Sequence, residues 1–126
     1  VLQTPAFKLF LGGDSGYGTH FKAIGETYGP FDMAILECGQ YNEYWRYIHM
    51  LPNEIVLAAK DLCANRLMPV HWGKFALALH SWDEPIQRVS EEAEKEKMPL
   101  FTPVIGEKAA LDNHGILFKK WWEGIS

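Results

Sequence analysis

Phe7-Lys8-Leu9-Phe10-Leu11-Gly12-Gly13-Asp14 decides the reading of the fold: a bulky, mostly apolar run passes without a break into two glycines and a carboxylate. A short apolar run stopped by glycine is the pattern of a buried strand, and Asp14 falls at its carboxyl end. Downstream, Asp32 to Cys38 repeats the pattern with Met33-Ala34-Ile35-Leu36 and closes at Gly39. Arg66 to His71 repeats it again with Leu67-Met68-Pro69-Val70, where Pro69 predicts an edge strand or an interrupted ladder. Between the first two runs, Phe21, Ile24 and Tyr28 recur at helical spacing over Thr19 to Tyr28, and Gly29-Pro30 closes the segment. Between the second and third, Pro52-Asn53-Glu54 opens a helix whose apolar stripe is Ile55, Leu57, Ala58, Ala59, Leu62 and Cys63, ending near Asn65. The order is β-α-β-α-β, an α/β fold.

Beyond His71 the pattern thins. Pro85 to Lys97 predicts a helix with Ile86, Val89 and Ala93 on one face and Glu91, Glu92, Glu94, Lys95, Glu96 and Lys97 largely on a solvated one. Leu100-Phe101, Val104-Ile105 and Ile116-Leu117-Phe118 are short strand candidates. No repeat, low-complexity stretch or linker divides the chain, so residues 1–126 read as one unit.

With 48% hydrophobic and 22% charged residues, the 126-residue chain lies in the range of a globular domain with a core. Its formal charge of −4 and the lack of a Lys/Arg-rich run give no electrostatic footprint for nucleic acid. No apolar stretch has the roughly 18 residues of a transmembrane segment, and Val1-Leu2-Gln3-Thr4-Pro5 has neither part of a signal peptide. Cys38 and Cys63 lie far apart in apolar contexts, without metal-finger spacing. They read as two buried free thiols, which suits a reducing, cytoplasmic setting. The chain has no initiating methionine and enters a strand pattern almost at once, so a piece of a longer protein is expected.

In α/β structures ligands gather outside the carboxyl ends of strands, which singles out Asp14, Cys38 and His71. A carboxylate and an imidazole are common donors to zinc and similar divalent ions, so Asp14 and His71 are candidate metal ligands. A turn or helix-cap role competes for Asp14 in Gly-Asp-Ser-Gly, and locally it is the simpler one. For His71 a purely hydrogen-bonding role competes, although Gly73 beside it lets the chain bend at the site. His49, in the loop before Pro52, is a candidate catalytic residue with a polar-loop alternative. The Gly12 to Gly18 stretch fits neither dinucleotide-binding nor P-loop spacing. Ordinary packing accounts for the tryptophans and the Tyr41 to Tyr47 aromatic loop, with site lining as the alternative. His20, His80 and His114 show no metal-ligand pairing.

Taken in order, Gly13-Asp14-Ser15-Gly16-Tyr17, Ile24-Gly25, Gly29-Pro30-Phe31-Asp32-Met33-Ala34, His49 with Pro52-Asn53-Glu54, and His71-Trp72-Gly73-Lys74-Phe75 resemble the second half of a metallo-β-lactamase-fold group. The branch resembled contains N-acyl-phosphatidylethanolamine-hydrolysing phospholipase D and the bacterial L-ascorbate-6-phosphate lactonase-like proteins. The matching blocks run from about Leu9 to Pro85. The resemblance implies the C-terminal part of an αββα sandwich, with Asp14 bridging two divalent metal ions, zinc foremost, and His71 binding one. It also implies that His49 contacts the substrate or transition state. Glu37-Cys38-Gly39-Gln40 departs from the largely apolar strand end of the phospholipase. The family's HxHxDH motif and its next ligand histidine do not occur in these 126 residues.

The resemblance thus implies part of a metal-dependent hydrolase of a phosphodiester, lactone or related ester, acting on a small-molecule or lipid-like substrate and inactive as the isolated chain. The expected partner is an N-terminal half carrying HxHxDH, or a second copy meeting an exposed sheet face. The rival reading is a non-catalytic α/β binding or assembly module in which Asp14 caps a helix and His71 is structural. A phosphatase with Asp14 as covalent nucleophile is weaker, because no DxD arrangement or partner lysine motif accompanies it.

Overall fold

The computed structural model describes residues 1–125, and its first pairing is a short hairpin. Strand β1 (Leu2–Gln3) pairs antiparallel with β2 (Lys8–Leu11), in the register Leu2 to Leu9 and Gln3 to Lys8. The Thr4 hydroxyl closes the turn by accepting the Ala6 and Phe7 N–H groups at 3.2 and 2.9 Å. β1 was not expected, since two residues are too few to carry a periodic pattern.

The expected β-α-β-α-β order follows: α1 (His20–Tyr28), β3 (Met33–Glu37), α2 (Pro52–Asp61), β4 (Leu67–Val70), and then α3 (Glu84–Glu96). The sheet order is β1-β2-β3-β4, with β2, β3 and β4 parallel. Leu11 stands opposite Ile35 and Ile35 opposite Met68. Pro69 sits on the edge strand, as its missing N–H requires.

One face of the sheet carries the core. Phe10, Ala34, Leu36 and Leu67 pack with Phe21 of α1, Ile55, Val56, Ala58, Ala59 and Leu62 of α2, and Val89 and Ala93 of α3. Phe10 holds Phe21 and Phe31 edge-on at ring-centre distances of 6.1 and 5.8 Å. Side chains alternate along a strand, so Leu9, Leu11, Ile35, Met68 and Val70 turn to the opposite face. None of these five joins the core cluster, and Leu11 is 52% exposed. This leaves a half-covered apolar sheet face.

The expected stripe of α2 needs two corrections. Leu57 is 43% exposed, because the helical repeat turns it away from the side on which Ile55, Ala58, Ala59 and Leu62 are buried. Helix α2 also ends at Asp61 rather than near Asn65. Cys63 takes a left-handed conformation (φ 54°), its N–H bonds to the Lys60 carbonyl and the Ala64 N–H reaches back to the Ala59 carbonyl. That is a helix-terminating motif, and it leaves Cys63 exposed rather than buried as expected. Cys38 is buried, and burial pushes its thiol well above the usual range. At the other end of α2, Pro52 occupies the first turn and the Glu54 carboxylate accepts the Leu51 N–H at 2.9 Å.

The strand candidates of the tail are also corrected. Leu100 makes a single bridge to Leu67, Val104 and Ile105 lie in or beside a turn closed by Glu107, and residues 116–118 are irregular. Tertiary aromatic contacts fasten this segment instead. Trp121 stacks on Trp72 at 5.1 Å, Trp122 meets Trp72 edge-on at 5.6 Å, and Phe118 packs on Phe101 at 4.8 Å.

Because Ile55 is fully buried and Leu57 is not, Ile55→Ala should cost about 2–5 kcal/mol of stability while Leu57→Ala costs under about 1 kcal/mol. Urea denaturation of the two variants checks the difference.

Candidate metal site

The parallel strands all point one way, so the residues that follow them gather at one edge of the sheet. Past β2, the Gly12 N–H still pairs with the Ile35 carbonyl at 2.9 Å, and Gly13 turns the chain in a left-handed conformation (φ 64°) into Asp14. β3 ends at Glu37, and β4 runs straight into His71. His49 arrives from the loop between β3 and α2, where its N–H and that of Ile48 both bond to the Trp45 carbonyl, at 2.8 and 2.7 Å.

Two close backbone approaches fix these loops. A Cβ on Gly39 would lie 1.4 Å from the His71 carbonyl oxygen, and one on Gly16 would lie 2.3 Å from the Arg46 carbonyl oxygen. Only glycine fits at either place. The first brings the strand end after β3 against His71, and the second brings the Asp14 loop against the segment that carries His49. His71 itself has φ 65°, a left-handed conformation uncommon for a non-glycine residue. Strain of this kind is typically stored at functional sites.

Asp14, His49 and His71, the three site residues expected from the sequence, come together. One donor atom from each lies within 4.8 Å of the other two. His71 Nδ1 is 3.3 Å from Asp14 Oδ1, and the His49 and His71 rings are 5.8 Å apart. Asp14 and His71 are exposed while His49 is largely buried. The competing cap role for Asp14 finds no support, because α1 begins six residues later with Thr19 as its N-cap.

A fourth residue was missed. Glu37 is 1% exposed. Its Oε1 accepts the Met50 N–H at 3.0 Å and lies 3.3 Å from His49 Nδ1, and its Oε2 lies 3.8 Å from His71 Nδ1. Burial pushes this carboxyl above its usual range, against the opposing pull of the Met50 N–H and His49. Cys38, the strand-end residue singled out from the sequence, instead joins the core. Alternation carried the signal: Ala34, Leu36 and Cys38 share the core face, which turns Glu37 to the other.

Gln40 holds the far wall. Its Nε2 donates to the Phe75 carbonyl at 2.8 Å and its Oε1 accepts the Leu77 N–H at 2.9 Å, fastening the segment after His71. Two clefts share His71 as a lining residue. One of about 280 Å³ includes Gln40, Trp72 and Phe75, and one of about 390 Å³ includes Met68, Val70, Phe101 and Trp121. Trp72 and Trp121 therefore both pack and line.

Asp14, His49 and His71 offer nitrogen and oxygen donors suited to a divalent ion. Beside them, Glu37 Oε2 and His49 Nδ1 are buried polar atoms with no aligned hydrogen-bond partner. The donor set and these orphaned atoms fit a metal-binding role.

The Beta-lactamase superfamily domain model matches residues 1–72, more than half of the chain. The chain belongs to that superfamily. It has the metallo-β-lactamase fold and falls in the branch related to N-acyl-phosphatidylethanolamine-hydrolysing phospholipase D. An uncharacterised protein of Mycobacterium tuberculosis is 40% identical over 122 residues, covering 94% of this chain and 32% of that protein. The outer membrane protein RomA of Klebsiella pneumoniae is 55% identical over 74 residues, covering 59% of this chain and 56% of RomA. The mitochondrial N-acyl-phosphatidylethanolamine-hydrolysing phospholipase D of Saccharomyces cerevisiae is 38% identical over 90 residues, covering 68% of this chain and 19% of the enzyme. A metallo hydrolase from Ignicoccus hospitalis shares the fold with a TM-score of 0.54 at 21% identity, over 75% of this chain and 37% of its own. The metallo-β-lactamase-fold protein YhfI of Bacillus subtilis shares it with a TM-score of 0.53 at 21% identity, over 73% of this chain and 35% of its own. The chain thus spans about a third of the mycobacterial relative's length. Among the described residues, no helix is long and apolar enough to cross a membrane.

The left-handed backbone at His71 gives a direct check. His71→Gly should be more stable than His71→Ala by about 1 kcal/mol, since both lose the imidazole and only glycine relieves the strain. Chemical denaturation of the pair reads the difference.

Proposed function

We propose that this chain is the C-terminal half of a metal-dependent hydrolase, acting on a phosphodiester, lactone or related ester. The observation that carries this is the convergence of Asp14, His49 and His71 at the strand ends of a β-lactamase superfamily chain. Asp14, with two carboxylate oxygens, and His71, with one ring nitrogen, would hold the metal. Zinc suits these donors, and two ions are expected in the intact protein. The chemistry such a pair would supply when bound is a water made far more acidic than bulk water, its pKa lowered toward about 7, and polarisation of the scissile group.

The chain's own residues do the rest. His49 contacts the substrate or the developing charge of the transition state. The clefts beside His71 hold the substrate, and their apolar lining suits a small molecule or a lipid-like one. The remaining ligands come from an N-terminal half carrying an HxHxDH motif, absent from these 126 residues. That half would also cover the sheet face of Leu9, Leu11 and Ile35; pairing of two copies through the same face is the alternative. The isolated chain is inactive and binds divalent metal poorly, because a site with few protein ligands leaves the ion mostly to water.

Elemental analysis of this chain and of a form extended upstream in its reading frame tests the reading. About two divalent ions per extended chain are expected, with little in the isolated one. Strong metal binding and turnover by the isolated chain would contradict the fragment reading. Metal in neither form would leave a non-catalytic binding module. In the extended form, His49→Ala should keep the metal while kcat falls about 10²–10⁴-fold, and a parallel loss of metal would make His49 a ligand instead.

A further inference from the structure

Glu37 is the one polar residue of β3. Burial of a carboxylate is unfavourable unless its charge and hydrogen-bonding needs are met. At 1% exposure, this one needs a physical reason. Its surroundings supply one: Oε1 sits between the Met50 N–H at 3.0 Å and His49 Nδ1 at 3.3 Å. One oxygen thus engages two consecutive residues of the loop that delivers the His49 ring. The other oxygen faces His71 Nδ1 at 3.8 Å.

We propose that Glu37 is a positioning residue: it takes the Nδ1–H of His49, fixing that ring's tautomer and orientation so that Nε2 is the nitrogen presented to the substrate. The inference rests on the hydrolase reading above, in which His49 is the catalytic contact. Three features of the site bear it out. The Met50 bond pins the carboxylate independently of the ring, so Glu37 is a fixed reference for His49 rather than a mobile partner. His49 Nδ1 is buried and has no aligned hydrogen-bond partner among the described residues, and Glu37 Oε1, 3.3 Å away, is placed to become one. Trp45 packs edge-on against the ring at 6.3 Å, so the imidazole is held by an aromatic contact and the carboxylate together. Loss of a carboxylate that orients a metal-ligating histidine typically costs roughly 10–100-fold, and an effect of that order is expected for this histidine.

The test uses the protein extended through its upstream half, with Glu37→Leu and the isosteric Glu37→Gln. Long-range ¹H–¹⁵N NMR of the histidine rings reads the His49 tautomer directly and is independent of turnover. Wild type should show the Nδ1–H form. Glu37→Leu should lose that single form, with kcat down roughly 10–100-fold and KM within about threefold, the signature of an interaction made chiefly in the transition state. Glu37→Gln keeps an acceptor for Met50 but not the charge, so a smaller loss of kcat with the Nδ1–H form weakened is expected, and it keeps the test decisive should the leucine variant not fold. If the variants that fold keep the wild-type His49 nitrogen pattern and kcat while only melting temperature falls, Glu37 is a structural anchor and the proposal is overturned. Should wild type itself hold no metal and turn over nothing, the hydrolase reading falls, and the nitrogen pattern alone then decides the Glu37 clamp.

Discussion

Parallel pairing of β2, β3 and β4 is the constraint on which everything else depends. Phe10, Ala34 and Leu67 stand in register across the three strands, and so do Leu11, Ile35 and Met68. Parallel strands that start level also end level, so Asp14, Glu37 and His71 emerge at the same edge although 57 residues separate the first from the last. A sheet of this kind needs its crossover helices on a face, and α1 and α2 supply them by burying one apolar side. Core packing and site assembly are therefore two results of one topology.

What the strands bring near, the backbone between them brings into contact. Gly39 lets the end of β3 meet the His71 carbonyl, and Gly16 lets the Asp14 loop meet the Arg46 carbonyl. His71 remains in a left-handed conformation that costs on the order of 1–3 kcal/mol. That cost is tolerated because β4, Gly39 and the tryptophan cluster around Trp72 hold the residue from several sides. The aromatic tail, without regular strands of its own, thereby supports the wall next to the site.

Legibility in the sequence followed periodicity. The three parallel strands and three helices carried clean apolar patterns, and each appears within a few residues of its expected bounds. Strand-end position singled out Asp14 and His71, and His49 was added by ordered blocks that resemble one family; the structure brings the three together. The two-residue β1 had no pattern to read. The tail failed because tertiary contacts among Trp72, Trp121 and Trp122 organise it, and those are invisible to local propensity. Glu37 was passed over for Cys38 because a buried acid beside a buried thiol looks like an ordinary strand end until the alternation is counted outward from Ala34.

In the proposed reading, one second layer would cover the face of Leu9, Leu11 and Ile35 and add ligands beside Asp14 and His71. The most direct test of that account is a crystal structure of the upstream-extended protein with anomalous data collected at the zinc edge. It predicts a metal peak about 2.0–2.2 Å from Asp14 and His71, with further ligands from the added half and His49 free to meet substrate. A peak ligated elsewhere, with Asp14 and His71 facing only each other, would contradict it.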